Sequence, residues 1–437
     1  MRIDRIEVTN FKKFSEQAFT FDPHFTLLIG ENGSGKTSVL DALAVALGIW
    51  LNDVPDSSLA NSYRRIYASE KRLEWVRLGD RPQFQEAKGS VSIRAIGQIE
   101  DRNNIAWEQS IAAGAKRASN VGAKDALNVV RNAIDRAQSA EKILLPVIAY
   151  YGAGRAWLSH RERTQRRPAS KIASRWAAFY DCLNERIRIV DLIRWFQDET
   201  TEAGNRQGRF RPGFEVVRRA ILRCVPGADG VWFDSAKEDI VLSINGNPQP
   251  FGNLSAGQRM MLALVADIAV KTVTQNNYLV PPDLLPDEPV LPRVLAESPG
   301  VVLIDEIDVH LHPRWQRRVV NDLKSTFPSI QFICTSHSPQ VIGEVSPAEI
   351  RLLDENGVQT PAQSYGMDSN WILRVLMGAE DKAEDVSKSV DSIFELIAQR
   401  KLLEADAKVT ELRQEVGNSE SIQRAAATLE RMRLLGR

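Results

Sequence analysis

The sequence is poor in cysteine, histidine and aromatic residues, and it has no excess of charge of either sign. Its 437 residues include 3 cysteines and 5 histidines, and 7% are aromatic. Cys182, Cys224 and Cys334 lie far apart without CxxC spacing, so we expect three buried, reduced thiols rather than a disulfide framework or a zinc cluster. Basic and acidic residues number 56 each, so binding to nucleic acid or anionic lipid requires a local patch.

Long apolar runs and internal repeats are missing as well. No run reaches the ~18 residues that span a bilayer, and the opening MRIDRIEVTN lacks the apolar stretch of a secretory signal. We therefore expect a cytoplasmic protein without a membrane partner. The rest of the composition, 43% hydrophobic and 26% charged, is that of a globular protein, and the length predicts about two to three domains.

The strongest motif is a glycine-rich loop between a predicted strand and a predicted helix. Residues 30–37 read GENGSGKT and fit the pattern GxxxxGK[ST]. Glycines let successive backbone N–H groups surround phosphate, and the helix N-terminus adds the positive end of its dipole. Lys36 is expected to reach the β- and γ-phosphates, and Thr37 to ligate Mg²⁺. The predicted binding residues are Gly30, Glu31, Asn32, Gly33, Ser34, Gly35, Lys36, Thr37 and Ser38.

A second motif is an apolar strand that ends in two carboxylates. Residues 301–304 are apolar, and Asp305 and Glu306 follow them. Placing two carboxylates at the end of a buried strand costs folding free energy, so such a pair is expected to have a function. We expect Asp305 to hold Mg²⁺ through its water shell and Glu306 to polarise or deprotonate the attacking water.

The stretch LSAGQR, residues 254–259, opens a predicted apolar helix. By itself it is an ordinary helix N-cap. It lies, however, between a phosphate loop and an acidic strand end. In that order, Ser255, the N–H of Gly257 and the helix dipole predict a second anion site, with Gln258 in the same motif. Such a site suits the γ-phosphate held by a second copy of the chain.

Two polar segments that follow the acidic strand have two interpretations each. Asp308, His310 and His312 are either ligands of a separate metal or part of a loop that contacts a second subunit. His337, in TSHSP after the predicted strand IQFICTS, is either structural or a polar switch that reaches the γ-phosphate.

The order NFKKF, GENGSGKTS, LSAGQR, LIDEID, HLHP and TSHSP resembles the ABC-type ATPase heads of the SMC, RecF and Rad50 class. The resemblance implies an α/β fold, a two-lobed P-loop head with a short helical insertion and a helical C-terminal extension. It assigns residues 30–38 to Walker A, 254–259 to the signature and 301–306 to Walker B. It assigns Asp308 to the D-loop and His337 to the switch. It also implies ATP and Mg²⁺, with two ATP molecules held between head-to-tail protomers.

The spacing of the motifs limits the size of the insertion. Thr37 and Leu254 are 217 positions apart, which is too few for the long antiparallel arm of a chromosome-tethering protein. We predict four parts: lobe I at 1–155, a basic helical insertion at 156–225, lobe II at 226–365, and a helical docking or oligomerisation extension at 366–437.

The compact layout, with YGAGR at 151–155 and the tail SYGMDSNWILRVLMG at 364–378, resembles the ATPases of anti-phage defence systems. It is similar to Septu ATPases, and also resembles those of retron and PARIS-type systems. These families imply a slow, regulatory, homo-oligomeric ATPase that gates a separately encoded effector, an HNH endonuclease in Septu. The five histidines form no HNH pattern and the tail no Toprim pattern, so a nuclease is expected in a partner.

Residues 155–223 carry 16 Lys and Arg against 8 Asp and Glu, with the densest run at His160–Arg167. This segment is either a DNA contact with a steep salt dependence or a solvated or subunit-facing helical surface. DNA contact would favour the alternative function, a RecF- or Rad50-like repair ATPase that acts directly on DNA. A transporter subunit fits less well, because the N-terminal strands and the HLHP loop are unlike that branch.

One element of the resemblance is missing. The glutamine that the family carries after the strand ending at Tyr151 is not evident. Tyr151, Gly152 and Arg155 are the candidates for sensing the γ-phosphate in its place.

Overall fold

The computed structural model describes residues 1–55, 64–78, 81–139, 141–156, 175–282, 290–379, 384–417 and 419–435. These residues form two compact units, Met1–Met367 and Asp368–Arg437.

The strands all belong to the first unit. In chain order they are β1 (Arg2–Phe11), β2 (Phe14–Thr20), β3 (Phe25–Gly30), β4 (Leu73–Leu78), β5 (Arg81–Glu86), β6 (Val91–Ile99), β7 (Arg102–Ile111), β8 (Val147–Tyr151), β9 (Ala228–Asp234), β10 (Asp239–Ile244), β11 (Asn247–Pro250), β12 (Gly300–Ile304), β13 (Ile330–Thr335), β14 (Ile350–Asp354) and β15 (Gly357–Gln359).

The helices are divided between the two units. The first unit holds α1 (Lys36–Leu47), α2 (Lys124–Gln138), α3 (Ile189–Asn205), α4 (Pro212–Cys224), α5 (Ala256–Gln275), α6 (Arg293–Glu297), α7 (Pro313–Thr326) and α8 (Pro339–Ile342), and the second α9 (Ser369–Val375), α10 (Glu384–Ala398), α11 (Leu402–Val416) and α12 (Glu420–Leu435). Among the described helices, none is both long and apolar enough to cross a membrane.

A central sheet in the order β15-β14-β3-β13-β12-β8 positions the site. Its strands from β14 to β8 pair in parallel, and β3, β8, β12 and β13 consist almost entirely of buried residues. In the register, Ile304 lies opposite both Tyr151 and Cys334. Since the carboxyl ends of parallel strands meet at one edge of a sheet, the segments that follow these four strands converge there.

Helix α1 packs between two sheets. It contacts the central sheet on one side and the antiparallel sheet β2-β1-β6-β7 on the other, and it is buried on nearly every face. This explains why its sequence, KTSVLDALAVAL, shows no amphipathic pattern. A smaller antiparallel sheet, β11-β10-β9, packs with α3 and α4, and α4 also packs on α5. The predicted α/β fold class with a helical C-terminal region is confirmed.

The second unit consists of helices with their own core. Residues of α10, α11 and α12 form a separate buried cluster that includes Ile393, Ala405, Val409, Ile422 and Leu429. The unit begins at Asp368, and the four-part division made from the sequence stays a prediction.

The three cysteines are buried and none forms a disulfide, as expected. Burial raises the pKa of the Cys182 and Cys224 thiols to about 12, so both thiols stay protonated at neutral pH.

Two segments differ from the sequence-based expectation. The insertion was expected to be helical, but residues 175–188 form no α-helix: a 3-10 helix at Arg175–Phe179 leads into turns, and α3 begins only at Ile189. The reason is a tertiary contact, since the carbonyls of Cys182 and Glu185 accept backbone hydrogen bonds from β8 and the residue after it. The hairpin of β4 and β5 was not predicted at all.

Candidate nucleotide-binding site

The glycine-rich loop joins β3 to α1 at the carboxyl edge of the central sheet. Gly33 has φ 78° and Gly35 has φ 103°, a left-handed backbone that favours glycine. A Cβ on Gly35 would lie 2.6 Å from Phe14 Cζ. Gly35 is also the N-cap of α1 and offers no side chain to its first N–H groups. Those N–H groups are therefore available to an anion.

Lys36 lies across this loop and is 7% exposed. Its Nζ donates to the carbonyl oxygens of Gly30 at 2.9 Å and Glu31 at 2.8 Å. Burial lowers the pKa of Lys36, while the charges of Asp305 and Glu306 act to raise it.

Ser34 provides a test of whether the loop fits phosphate. Its Oγ is buried and has no hydrogen-bond partner in the described part of the chain. A buried hydroxyl without a partner is costly. It is suited to donate to an acceptor such as a phosphate oxygen.

Asp305 follows β12 and has both carboxylate oxygens bound. Thr37 donates from Oγ1 to Oδ2 at 3.0 Å, and Thr335 donates from Oγ1 to Oδ1 at 2.6 Å. The backbone N–H of Asp305 donates to the carbonyl of Tyr151 at 2.8 Å. Hydroxyl and carboxylate oxygens are hard ligands that suit Mg²⁺. Thr37 and Asp305 therefore fit the metal that the sequence predicts.

Glu306 has a left-handed backbone, with φ 49°. Its N–H donates to Thr335 Oγ1 at 2.7 Å, which holds the residue beside Asp305. A non-glycine residue in this conformation carries strain that the surrounding structure must hold. Glu306 is half-buried.

The segment after Glu306 is explained by contacts within the chain. Ser336 donates from Oγ to Asp308 Oδ1 at 2.6 Å, and His312 Nδ1 accepts the N–H of Arg314 at 3.3 Å as a cap of α7. Across the described ranges, no group of three His, Cys, Asp or Glu side chains is placed to hold a metal ion. Both interpretations of Asp308, His310 and His312 stay predictions.

His337 follows β13 and lies within the electrostatic reach of the site. Burial and the Lys36 cation lower its pKa, while Asp308, Glu306 and Asp305 act to raise it. The net shift is downward from 6.5, so the imidazole is neutral at pH 7.

Ser255 is the N-cap of α5. It accepts the N–H of Gln258 at 3.3 Å and donates its own N–H to Gln258 Oε1 at 2.9 Å, which is a capping box. A Cβ on Gly257 would lie 2.5 Å from the carbonyl oxygen of His310, so the signature motif packs against the turn 308–311. Within the described residues, no hydrogen bond or ion pair joins this motif to residues 30–38.

The candidates for the missing glutamine have other contacts. Tyr151 donates from its hydroxyl to Asp267 Oδ2 of α5 at 2.6 Å, and Lys271 pairs with the same carboxylate. Gly152 donates its N–H to the carbonyl of Glu185 at 2.8 Å. Tyr151 thus connects the site edge to the signature helix. Of Arg155 only the backbone is described.

Lys12 and Lys13 belong to the NFKKF motif, but the sequence analysis did not predict them as site residues. Lys13 Nζ donates to the carbonyl of Gly33 at 2.8 Å, and Lys12 pairs with Asp41 of α1. The β1-β2 turn is thereby fixed against the phosphate loop. The available signal was the pair of lysines in NFKKF, but only the sheet topology brings them to the loop.

The basic segment is partly neutralised. Its densest run, residues 160–167, lies outside the described residues. Several described arginines form ion pairs within the chain, namely Arg188 with Asp181 and Asp191, Arg211 with Glu199 and Glu202, and Arg218 with Glu215.

Two family models and a set of solved structures are similar to this chain. A family model described as an AAA domain matches residues 5–203. A second AAA-domain model, whose description also names the AbiEii toxin of a Type IV TA system, matches residues 240–343. Among solved structures, an SMC head bound to the C-winged helix domain of ScpA covers 83% of this chain and 98% of its own, at 16% identity and a TM-score of 0.44.

Two curated relatives align along most of the chain. A probable ATPase of retron Vc95 from Vibrio cholerae serotype O1 biovar El Tor is 26% identical, over 81% of this chain and 74% of the relative. Septu protein PtuA from Bacillus mycoides is 25% identical, over 81% of this chain but only 40% of the relative. The predicted resemblance is confirmed: the chain is an ATPase with an α/β P-loop fold, and a probable retron ATPase and a Septu protein are among its homologues.

Proposed function

We propose that the chain hydrolyses ATP in a head-to-tail homodimer and thereby gates a separately encoded effector nuclease during anti-phage defence. One observation carries the chemical part. The hydroxyls of Thr37 and Thr335 hold Asp305 beside the phosphate loop, and Thr335 also holds Glu306. Phosphoryl transfer requires this combination of phosphate cradle, metal ligands and water-orienting acid.

Each residue type at the site has one task in this proposal. Lys36 and the loop N–H groups bind the β- and γ-phosphates, and Thr37 and Asp305 hold Mg²⁺. The metal, when bound, neutralises charge that develops between the phosphates. Glu306 orients the attacking water and accepts its proton. His337, neutral at pH 7, hydrogen-bonds the γ-phosphate.

A second copy of the chain completes the site. Ser255 and the N–H of Gly257 lie at the N-terminus of α5, where the helix dipole favours an anion. We assign them to the γ-phosphate bound by the other protomer. Asp308 then contributes to the contact between protomers. This arrangement makes hydrolysis depend on dimerisation, so ATP state and oligomeric state are linked.

The biological part of the proposal rests on the relatives. The chain aligns with a probable retron ATPase and with a Septu protein over 81% of its length. We infer that it acts in the cytoplasm with an HNH-type effector that a neighbouring gene encodes. Co-expression with that neighbour is expected to yield a complex that co-elutes and protects cells from phage. A chain that neither binds the neighbour nor protects would exclude the gating function.

Glu306→Gln tests the catalytic part. The amide keeps the size of the side chain but cannot accept the proton, so we expect ATP turnover to fall by about 10²–10⁴-fold while ATP stays bound. Light scattering should then show an ATP-dependent dimer that persists. Glu355→Gln, in the exposed turn after β14, is the matched control and should behave as wild type.

Each result has a defined meaning. Wild-type turnover by the Glu306→Gln variant would refute the role of Glu306. A variant that binds ATP but stays monomeric would refute the head-to-tail arrangement. Crystals with a non-cleavable analogue should place Ser255 of one protomer beside the γ-phosphate of the other.

The rival function, direct work on DNA, has less support. Three described arginines of the basic segment, Arg188, Arg211 and Arg218, form ion pairs within the chain, which reduces the charge they offer to DNA. An ATPase rate that rises severalfold with duplex DNA, and a binding constant that falls steeply with salt, would favour the rival.

A further inference from the structure

The side chain of Gln316 joins the loop that carries His337 to the turn 308–311. We propose that Gln316 is a positioning residue for His337 during ATP hydrolysis. This inference rests on the proposed function, because it takes His337 as the group that contacts the γ-phosphate.

One end of Gln316 closes the turn. Gln316 lies near the start of α7, and its Nε2 donates to the carbonyl of Leu311 at 2.9 Å and to that of Asp308 at 3.4 Å. The turn itself is closed by the N–H of Leu311, which donates to the Asp308 carbonyl at 3.0 Å. His310, inside the turn, has φ 59°, so the turn holds strain that these bonds must retain.

The other end of Gln316 reaches the switch loop. Ser338 donates from Oγ to Gln316 Oε1 at 2.7 Å. On the opposite side of His337, Ser336 donates from Oγ to Asp308 Oδ1 at 2.6 Å and accepts the N–H of Ser338 at 2.9 Å. Both neighbours of His337 are therefore fastened to the same turn by separate side chains.

Only an amide satisfies both ends of this bridge. Backbone carbonyls can only accept, so the group that faces them must donate, and the group that faces Ser338 must accept its hydroxyl proton. A carboxylate in place of the amide would set an anion against two carbonyl oxygens. Ser336 and Ser338 are 1% and 7% exposed, so water cannot readily replace a lost partner.

The turn 308–311 also contacts the signature motif. The His310 carbonyl packs against Gly257 of the signature motif. Gln316 therefore lies between two parts of the proposed site. One is His337, which is assigned to the nucleotide bound by the same protomer, and the other is the signature motif, which is assigned to the nucleotide of the other protomer. Catalytic geometry is sensitive to displacements of about 1 Å, which can cost on the order of 100-fold in rate.

The test compares Gln316→Glu and Gln316→Ala in two backgrounds, wild type and His337→Ala. In the wild-type background we expect kcat to fall by about tenfold or more, with the Kd for ATP unchanged within about twofold. In the His337→Ala background we expect no further loss, because the positioned group is gone. Gln340→Ala is the matched control. Its side-chain oxygen accepts a hydrogen bond from Arg317 Nε of α7, at an exposed position.

Ser338 supplies a second route to the same answer, should the Gln316 variants fold poorly. Ser338→Ala removes the donor and is expected to match Gln316→Ala in kcat. Ser338→Thr keeps the hydroxyl and is expected to retain most of the activity. The double variant Gln316→Ala/Ser338→Ala should lose no more kcat than either single variant, because the effects of two residues that act as a unit are not additive.

Four outcomes would overturn the inference. Unchanged kcat in Gln316→Glu and Ser338→Ala would do so, and so would an equal loss of kcat with and without His337, which marks a merely structural role. Wild-type turnover by His337→Ala would overturn the proposed role of His337 together with this inference. A drop in His337→Ala without a drop in the Gln316 variants removes this inference alone.

Discussion

Thr335 and Asp305 are joined by a 2.6 Å hydrogen bond, in which the threonine hydroxyl donates to Oδ1 of the carboxylate. The same hydroxyl accepts the N–H of Glu306 at 2.7 Å. Thr335 is fully buried, so one hydroxyl from β13 fixes both acids that follow β12.

Thr335→Val should separate the contribution of side-chain shape at Thr335 from that of its hydrogen bonds. Valine fills the same space but removes a hydroxyl that Asp305 and Glu306 both use. We expect the free energy of unfolding in urea to fall by about 1–3 kcal/mol and kcat to fall as well. Thr335→Ser keeps the hydroxyl and should retain more of both. If the valine variant matches wild type in stability and turnover, the bridging hydroxyl has no such role.

Gly257→Ala is expected to disturb the signature motif. The added methyl would lie 2.5 Å from the His310 carbonyl oxygen, which is backbone and cannot rotate away. The start of α5 or the turn must shift, so we expect a loss of about 1–3 kcal/mol in unfolding free energy and weaker ATP-dependent dimerisation. Thermal unfolding and light scattering measure the two effects.

Gly204→Ala is the matched control for this substitution. Gly204 lies in α3, and a Cβ there meets no heavy atom within 4 Å. Alanine restricts the unfolded chain more than glycine, so we expect a gain of about 0.4–1 kcal/mol. A Gly257 variant as stable as this control would contradict the close packing of the signature motif.

The sequence predicted those parts of the site whose residues are contiguous. GENGSGKT specifies its loop because left-handed glycines and the start of a helix are local properties. VVLIDE likewise specifies a buried strand with an acidic end. The contacts of Lys13 with Gly33 and of Tyr151 with Asp267 depend on sheet order and on how α5 packs, which no local pattern encodes. The lack of an α-helix at 175–188 has the same origin, since Tyr150 and Gly152 donate backbone hydrogen bonds to carbonyls of that segment.

Lys36→Ala should remove nucleotide binding. It deletes the ammonium group expected on the β- and γ-phosphates, and charge-assisted bonds of this kind are worth about 1.5–3 kcal/mol each. We therefore expect ATP affinity to fall by about 100-fold or more, measured by calorimetry. Lys71→Ala, which removes an ion pair with Glu86 in the β4-β5 hairpin region, is the control. Normal ATP affinity in the Lys36 variant would contradict the assignment of the loop.

His337 gives the protein a predictable response to acid. Burial and Lys36 lower its pKa below 6.5, against the opposing influence of Asp308, Glu306 and Asp305. The unfolded chain therefore binds more protons than the folded protein in the window between the two pKa values. Because of this, the free energy of unfolding rises with pH across that window.

It follows that the stability supplied by neutral His337 is complete above about pH 6.5 and is lost as pH falls through the lower folded pKa. His337→Gln cannot be protonated, so its unfolding free energy should decline less than that of wild type between about pH 7 and pH 5. Urea unfolding of both proteins across this range measures the difference. If the unfolding free energies of the two proteins change in parallel with pH, the imidazole of His337 has an ordinary pKa. The proposal that His337 contacts the γ-phosphate as a neutral group would then lose its support.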